Sequence, residues 1–350
     1  MNNEQRNEFW RTLCSLKGDN YEQDRQELNS KIIFPRFLYR YRPVNINNLE
    51  ALRTNRLYFS SANYFDDPFD TFLHIDIRRI KEEFESNFND EAALQKLVTV
   101  MIEFVAGHEK ELPKDFVDSV TDTEKLKALF AGNLTNSFLS YLMEIRNEIR
   151  KETWSVCFSE NGFNENLWLK YADQHKGYAL IYDLANVESL RCGTMEKCKN
   201  CGILNYGTPL YPINYSDTPY DATHFAKYVL GQKLSQLVNF PLPEFMQIDL
   251  ARGISPWERE RTTLLKKFCH HYDEEWRMIT ACPMNPPIMR EWVPAGIILG
   301  LNMGKSEENI VIELARSAGI QNIYKSYIDI DNKLNAYLLT FGDHQQVSLS

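Results

Sequence analysis

No apolar run approaching about 18 residues occurs in this chain, so nothing in it reads as a membrane-spanning helix. Residues 1–20 are polar where a secretory signal needs an apolar stretch. Cysteine is too sparse and too irregular for a disulfide framework: the seven residues are odd in number, which fits a reducing, cytoplasmic setting. Positive charge is short as well. Lys and Arg total 39 against 48 Asp and Glu, for a net charge of -9, which argues against a generic nucleic-acid surface. Also missing are Gly-x-Gly-x-x-Gly, a Walker lysine loop, a Gly-x-Ser-x-Gly elbow and His-Glu-x-x-His. Their absence disfavours a dinucleotide fold, a P-loop enzyme, a serine hydrolase and a zincin. There is no internal repeat and no low-complexity tract.

What remains is an ordinary globular composition, with 43% hydrophobic and 25% charged residues in 350. Twenty Phe and eighteen Tyr make aromatic-lined clefts an expectation, although most such rings serve the core. Residues 1–36 read as an N-terminal arm or helices laid on the body, and 37–345 as one α+β domain. Aromatic-rich strands are expected at Phe37–Tyr41 and Arg56–Ser60, with a helix at Asn47–Thr54 between them. Arg78 to Glu111 and Asp122 to Lys151 read as long helices, a helical insertion over 78–151. Their apolar stripes come from Leu94, Leu97, Ile102 and Phe104, and from Leu126, Leu129, Phe130 and Leu134.

Strands are expected next at Thr153–Phe158 and Gly177–Tyr182, with a short helix at Asn166–Asp173 between them. Val187–Lys199 reads as helix, Gly202–Tyr206 as strand and the Pro-rich Gly207–Pro219 as loop. Helices follow at Asp221–Val238 and Trp257–Phe268, then a strand at Tyr272–Thr280. The tail alternates strand Ala295–Leu299, helix Ser306–Ala318 and strands Ile323–Ile328 and Ala336–Leu339. The sum is α+β with a mixed or antiparallel sheet, possible splitting of that sheet included.

Candidate chemistry gathers in a few segments. If Tyr272–Thr280 is a strand, Asp273, Glu275 and Arg277 share one face, and Glu274 and Trp276 the other. Three ionisable groups in register must pair or meet water. In Tyr39-Arg40-Tyr41-Arg42 the arginines face one way, suited to a phosphate, and the tyrosines the other, suited to a flat ring. Tyr58 and Ser60 precede a dense loop, Phe65-Asp66-Asp67-Pro68-Phe69-Asp70. That loop either closes on a ligand, or has its aspartates capping amides while Phe65 and Phe69 plug the core. Ser155, Cys157 and Ser159 share a strand face, Trp168 and Tyr171 share a helix side, and His175 is either an acid–base group or a capping residue. Cys198 and Cys201, with Cys192 or His224, offer a zinc half-site; without a second close cysteine pair they read as reduced thiols, and no metal is assigned.

These segments, in this order, resemble a bacterial family catalogued only as domain of unknown function 2971. The resemblance rests on Leu57-Tyr58-Phe59-Ser60, Phe65 to Asp70, Cys157-Phe158-Ser159, Trp168 to Gly177 with its Trp-x-x-Tyr-Ala-Asp-x-His-x-Gly pattern, and Tyr272 to Arg277. It spans residues 38 to 300; Asp66 departs from the family's Asn, and Asp273 from its Glu. The layout also resembles, more loosely, the ADP-ribosyltransferase group. That second resemblance implies a core of the same kind and NAD as substrate. It implies Glu275 as the catalytic acid beside a ribosyl cation and Asp273 orienting an acceptor. Arg40 (or Tyr39) would hold NAD, with Ser60 or Ser155 lining the pocket. Tyr58, Tyr64 or Trp168 would stack on nicotinamide, and Tyr41 and Arg277 complete the binding set. The expected partners are a nucleotide-like small molecule and a macromolecular acceptor. Two other readings stand beside this one. The first is a non-catalytic nucleotide- or protein-binding module, with Glu275 and Arg277 in a salt-bridge network with Arg40 or Lys267. The second is a Mg²⁺-dependent nuclease-like hydrolase using Asp66, Asp67, Asp70 and Glu275.

Overall fold

In the computed structural model, residues 1–90, 135–185, 191–192, 210–237, 244–281 and 289–340 are described, with isolated positions between 92 and 125. The chain forms two compact units. The first joins Met1–Asp70, Glu152–Thr218 and Thr263–Ser350; the second joins Thr71–Lys151 and Pro219–Thr262.

Among its described residues the first unit carries fourteen strands: β1 (Phe37–Arg42), β2 (Arg56–Tyr58), β3 (Ser60–Ser61), β4 (Thr153–Ser159), β5 (Tyr178–Asp183), β6 (Arg191–Cys192), β7 (Leu210–Pro212), β8 (Asn214–Tyr215), β9 (Leu265–Lys266), β10 (Glu275–Ala281), β11 (Met289–Glu291), β12 (Gly296–Leu299), β13 (Asn322–Ile328) and β14 (Leu334–Leu338). Nine form the main sheet, in the order β14-β13-β12-β5-β1-β4-β10-β7 with β3 added on β4. Its pairs are antiparallel except β12 with β13, which are parallel and joined through the helix Lys305–Ser317, the crossover that a parallel pair requires. The α+β class with a mixed sheet is therefore the observed one. Small sheets β2-β11-β6 and β8-β9 complete the unit.

One feature of the main sheet governs the site. β1 pairs with β5 along its whole length, from Phe37↔Asp183 to Arg42↔Tyr178. Its other edge meets β4 at a single rung, Tyr39↔Ser159. β4 then continues along β10, from Glu275↔Ser159 to Ala281↔Thr153, and takes β3 at Ser60↔Ser155. Past that rung the two central strands go separate ways.

The tyrosine face of β1 packs on a core cluster holding Tyr41, Trp168, Ala179, Ile181 and Ile298. Trp168 is fully buried, lies edge-on to Tyr41 at 5.3 Å and donates from Nε1 to the Gly162 carbonyl. The Tyr41 hydroxyl donates to the Asn161 carbonyl, and Asn164 caps the helix Glu165–Tyr171 through its side chain. That helix ends in Asp173, Gln174 and His175, all at positive φ, a left-handed turn that non-glycine residues rarely adopt. The turn is held from several sides. His175 stacks on Trp168 at 5.7 Å, its carbonyl accepts from the Asn302 amide, and Gly177 donates to Ala172. A Cβ on Gly177 would stand 2.1 Å from the Arg42 carbonyl oxygen. The Trp168-to-Gly177 pattern is thereby a backbone device, and His175 acts in it by stacking.

Other expectations shift. The segment 207–219 is not all loop: β7 and β8 lie within it, and Pro212 sits on β7 at the sheet's edge, where a missing N–H is tolerated. The helix expected over Trp257–Phe268 covers Glu258–Thr263 only and gives way to β9. At the N-terminus the helices Asn3–Ser15 and Tyr21–Ser30 form; Asn2 and Gln5 make a capping box, and Phe9 and Leu13 are buried.

The second unit holds the helices Ile77–Asn89, Thr135–Glu152, Thr223–Leu237, Glu244–Arg252 and Glu258–Thr263. Phe84 stacks on Phe138 at 5.1 Å, and Lys227 bridges Glu83 and Asp249. Leu94, Leu97, Ile102, Phe104, Leu126, Leu129, Phe130 and Leu134 lie outside the described residues, as do Cys198, Cys201, Gly202–Tyr206 and Phe240–Pro243. Among the described residues no helix is long and apolar enough to cross a membrane.

Candidate functional site

The 3-10 helix Phe268–Asp273 and Glu274, in the left-handed region at φ 46°, stand where a longer strand was expected. β10 begins at Glu275. Asp273 therefore reaches the Glu275 side through a turn, not through strand alternation. Period 2 holds for Glu275 and Arg277, and both side chains are buried, at 7% and 1% exposure.

Their partners define an ion network. Arg277 grips Asp70 with two hydrogen bonds of 2.7 and 2.6 Å, donates from Nε to Glu275 at 2.6 Å and from Nη1 to the Thr263 carbonyl at 2.8 Å. Lys266 donates to the other Glu275 oxygen at 2.8 Å and to Asp273 at 3.0 Å, with Asp70 at 3.8 Å. Burial raises the Glu275 pKa; the Arg277 and Lys266 charges together outweigh it and hold the carboxyl far below the usual carboxylate range. Burial likewise opposes the charges of Lys266 and Arg277, and the carboxylates around them raise both well above their ordinary values. Glu275 is thus held as an anion. Cys157, two residues along β4 from Ser159, has its thiol pushed up to about 12 by burial and then by Glu275. Arg6, from the first helix, donates to the main-chain carbonyls of Glu275 and Ile213 and to the Glu160 carboxylate.

This network floors a cavity of about 340 Å³, within the range of small-molecule sites. Arg40 to Arg42 and Tyr39 border it from β1, Ser155, Cys157 and Ser159 from β4, and Ser60 from β3. The 61–70 loop and the helix Glu165–Tyr171 supply Tyr64, Phe65 and Tyr171. Because Tyr39 pairs with Ser159 and Ser159 with Glu275, these three share one sheet face, and Arg40 belongs to the other. Arg40 and Glu275 border one cavity because β1 and β4 part there. The expected ion pair between them does not form.

Of the expected site residues, Glu275, Asp273, Arg277, Arg40, Tyr39, Tyr41, Ser60 and Ser155 border this cavity. Tyr41 contributes little free surface, its ring being packed on Trp168. Trp168 is core and outside the lining, so it cannot stack on a ligand; Tyr171, on the same helix side, stands in the lining instead. Tyr58 belongs to a separate cavity, and its carbonyl accepts from Arg40 Nη2 at 3.2 Å. Lys267 is not in the network: it lies 3.5 Å above the Phe69 ring, which is exposed rather than plugging the core. Asp67 does cap, accepting from the Phe69 amide at 2.8 Å, and lies 3.3 Å from His270. Lys266, Asp70 and Tyr171 were not singled out from sequence as site residues of the transferase reading. A buried arginine requires a buried carboxylate, but nothing in the spacing tells which of the loop aspartates answers it.

Among the described residues no group of His, Cys, Asp and Glu has the arrangement of a metal site. Asp70, needed by the nuclease-like reading, has both oxygens on Arg277. His224 bonds the Gly253 carbonyl at 2.8 Å and approaches Asp249 at 3.3 Å. Comparison with protein-family models, with curated proteins and with solved structures finds no match.

Proposed function

We propose that the cleft binds a nucleotide-like ligand carrying positive charge at one end and phosphate at the other, and that its substrate is NAD, consumed by glycosyl transfer or hydrolysis. The observation that carries the reading is the polarity of the lining. At one end three buried carboxylates, Asp70, Asp273 and Glu275, meet Lys266 and Arg277 among the described residues, with the His270 ring 4.0 Å from Asp273. At the other, Arg40 and Arg42 meet no carboxylate among the described residues. Tyr64 and Tyr171, both exposed, add aromatic rings to the lining.

On this reading Glu275 acts as a preorganised anion. Breaking the glycosidic bond of NAD builds positive charge at the ribose, and a carboxylate that stays ionised in a dry site stabilises it. Glu275 accepts from Lys266 on one oxygen and Arg277 on the other, with the Cys157 thiol as a third neighbour, and a carboxylate has about four acceptor positions, so capacity for a ribose hydroxyl remains. Ser60 and Ser155 are small hydroxyl residues on facing strands that leave the cleft open. Asp273 stands beside Glu275 for an acceptor.

Purified protein incubated with NAD should release nicotinamide, read by chromatography. Glu275→Gln should lower that rate by about 100-fold or more, the scale of losing one electrostatic stabiliser. Absence of both NAD binding by calorimetry and nicotinamide release refutes the reading. A second reading, a non-catalytic nucleotide-binding module, is favoured by the full engagement of Glu275 with two cations, as in structural ion networks. It requires NAD or a related nucleotide to bind without turnover, and a folded Glu275→Gln protein to bind as well as the parent.

A further inference from the structure

The arginine side of β1 opens on a second cavity of about 380 Å³, on the sheet face opposite Glu275. Its walls come from β1, β2 and the helix Ile46–Arg53, with Tyr178 and Leu180 of β5 behind. Three arginines border it: Arg40, Arg42 and Arg56. Arg40 is 6% exposed, and its Nε and Nη1 are buried without any hydrogen-bond partner; so is Nε of Arg56. Arg40 uses only Nη2, on the Tyr58 carbonyl, and lies 5.9 Å over the Phe158 ring. Arg42 has its pKa lowered by burial, and only tyrosines and a cysteine offset it.

The single carboxylate in this lining is Glu50, and it is taken: Arg53 holds both its oxygens, at 2.8 and 2.7 Å. Buried charged donors without acceptors are costly, and native structures rarely keep them without a reason. Three guanidinium groups border one chamber, with unpaired N–H groups on Arg40 and Arg56. Glu50, which also acts on Arg56, is hydrogen-bonded to Arg53 instead, and an anion with many acceptor oxygens would satisfy the free donors. Guanidinium forks match the oxygens of phosphate in pairs.

We propose that this chamber is a phosphate-binding site, which takes a diphosphate or terminal phosphate through Arg42, Arg56 and the free edge of Arg40. It holds whichever chemistry the Glu275 cleft performs, since its ligand is recognised by charge and oxygen geometry alone. The two cavities share Arg40, Arg42 and Ser60, so an anion here also fixes the arginines that border the cleft.

Calorimetric titration of the full chain with sodium pyrophosphate tests it. Saturable binding is expected with a Kd below about 1 mM at low salt, weakening as salt is raised. Arg42→Gln and Arg56→Gln should each weaken it by about tenfold or more, the scale of one lost charge-assisted contact. Arg78→Gln, an exposed arginine paired with Glu82 and outside the chamber lining, should leave the Kd unchanged. ADP and adenosine distinguish the source: binding of ADP and not adenosine points to a nucleotide phosphate, and binding of pyrophosphate alone to a free polyphosphate. No saturable heat up to about 10 mM pyrophosphate, or an unchanged Kd in folded Arg42→Gln and Arg56→Gln, overturns the proposal. So does an equal loss in Arg78→Gln, which would mark a diffuse surface effect. Lack of NAD turnover with pyrophosphate binding intact removes the catalytic reading alone.

Discussion

Replacing Lys266 by Met removes the one cation that, among the described residues, hydrogen-bonds Asp273, and one of the two that hydrogen-bond Glu275, while keeping roughly the side-chain length. Three carboxylates would then face Arg277 alone. Removing one partner of a buried ion group costs about 3–5 kcal/mol, because the other is left uncompensated. For a body of about 150–250 residues, at 2–4 °C per kcal/mol, the midpoint should fall by roughly 6–20 °C. The loss should also depend on pH, with a sign that follows from the network. In the parent, the Glu275 pKa lies below its unfolded value near 4.3, so between pH 7 and 5 neither state takes up a proton there and the contribution of Glu275 to stability is flat. In Lys266→Met the crowded carboxylates rise above that value, and the folded state binds a proton before the unfolded one does. The variant therefore regains stability as pH falls, by about 1.4 kcal/mol per unit over which it holds one proton more. Urea unfolding at pH 7 and pH 5, followed by circular dichroism, measures both effects. A loss under about 1 kcal/mol at pH 7, or a gap that does not narrow at pH 5, refutes the ion-network account.

Two further outcomes follow from the packing. Gly177→Ala would set a Cβ 2.1 Å from the Arg42 carbonyl and 3.0 Å from the Ala172 backbone, neither of which can swing away; thermal unfolding should show a loss of at least about 2 kcal/mol. Glu260 in the second unit has its pKa raised to about 7 by burial, so the folded state keeps a proton that the unfolded chain releases, and the parent loses stability as pH rises from about 5 to 7. Glu260→Gln should raise the thermal midpoint more at pH 8 than at pH 5, and an equal shift at both would contradict that assignment.

Sequence periodicity located the strands whose alternation is undisturbed. β4, β5, β12 and β13 lie close to where their apolar patterns put them. It failed where a turn mimics a strand: Asp273 and Glu275 look like alternate residues, and a left-handed Glu274 separates them. It also misjudged edge elements, since the prolines around β7 read as breakers although Pro212 sits where no ladder bond is needed. For the site, Glu275, Arg277 and Arg40 were legible because buried charge on a strand is conspicuous in the residues themselves. Asp70 and Lys266 were not, since their role depends on which distant residue they meet. Trp168 misled for the opposite reason: a large ring beside polar motifs looks like a binding surface, and only packing shows it sealed. The parting of β1 from β4, which lets Arg40 and Glu275 border one space, is a property of pairing that no single segment carries.

The hydrogen bond from Arg6 to the Glu275 carbonyl joins positions 269 residues apart. Closing so long a loop is slow and is rewarded only after most of the chain exists. During synthesis the bond from Arg6 to Glu275 has to wait until β10 has left the ribosome. A chain stopped before residue 275 would hold both arginines of β1 and the serines of β3 and β4 and still have no floor to the cleft. Site assembly is therefore among the last events of folding, and the cleft reports on completion of the unit in a way that none of its separate strands could.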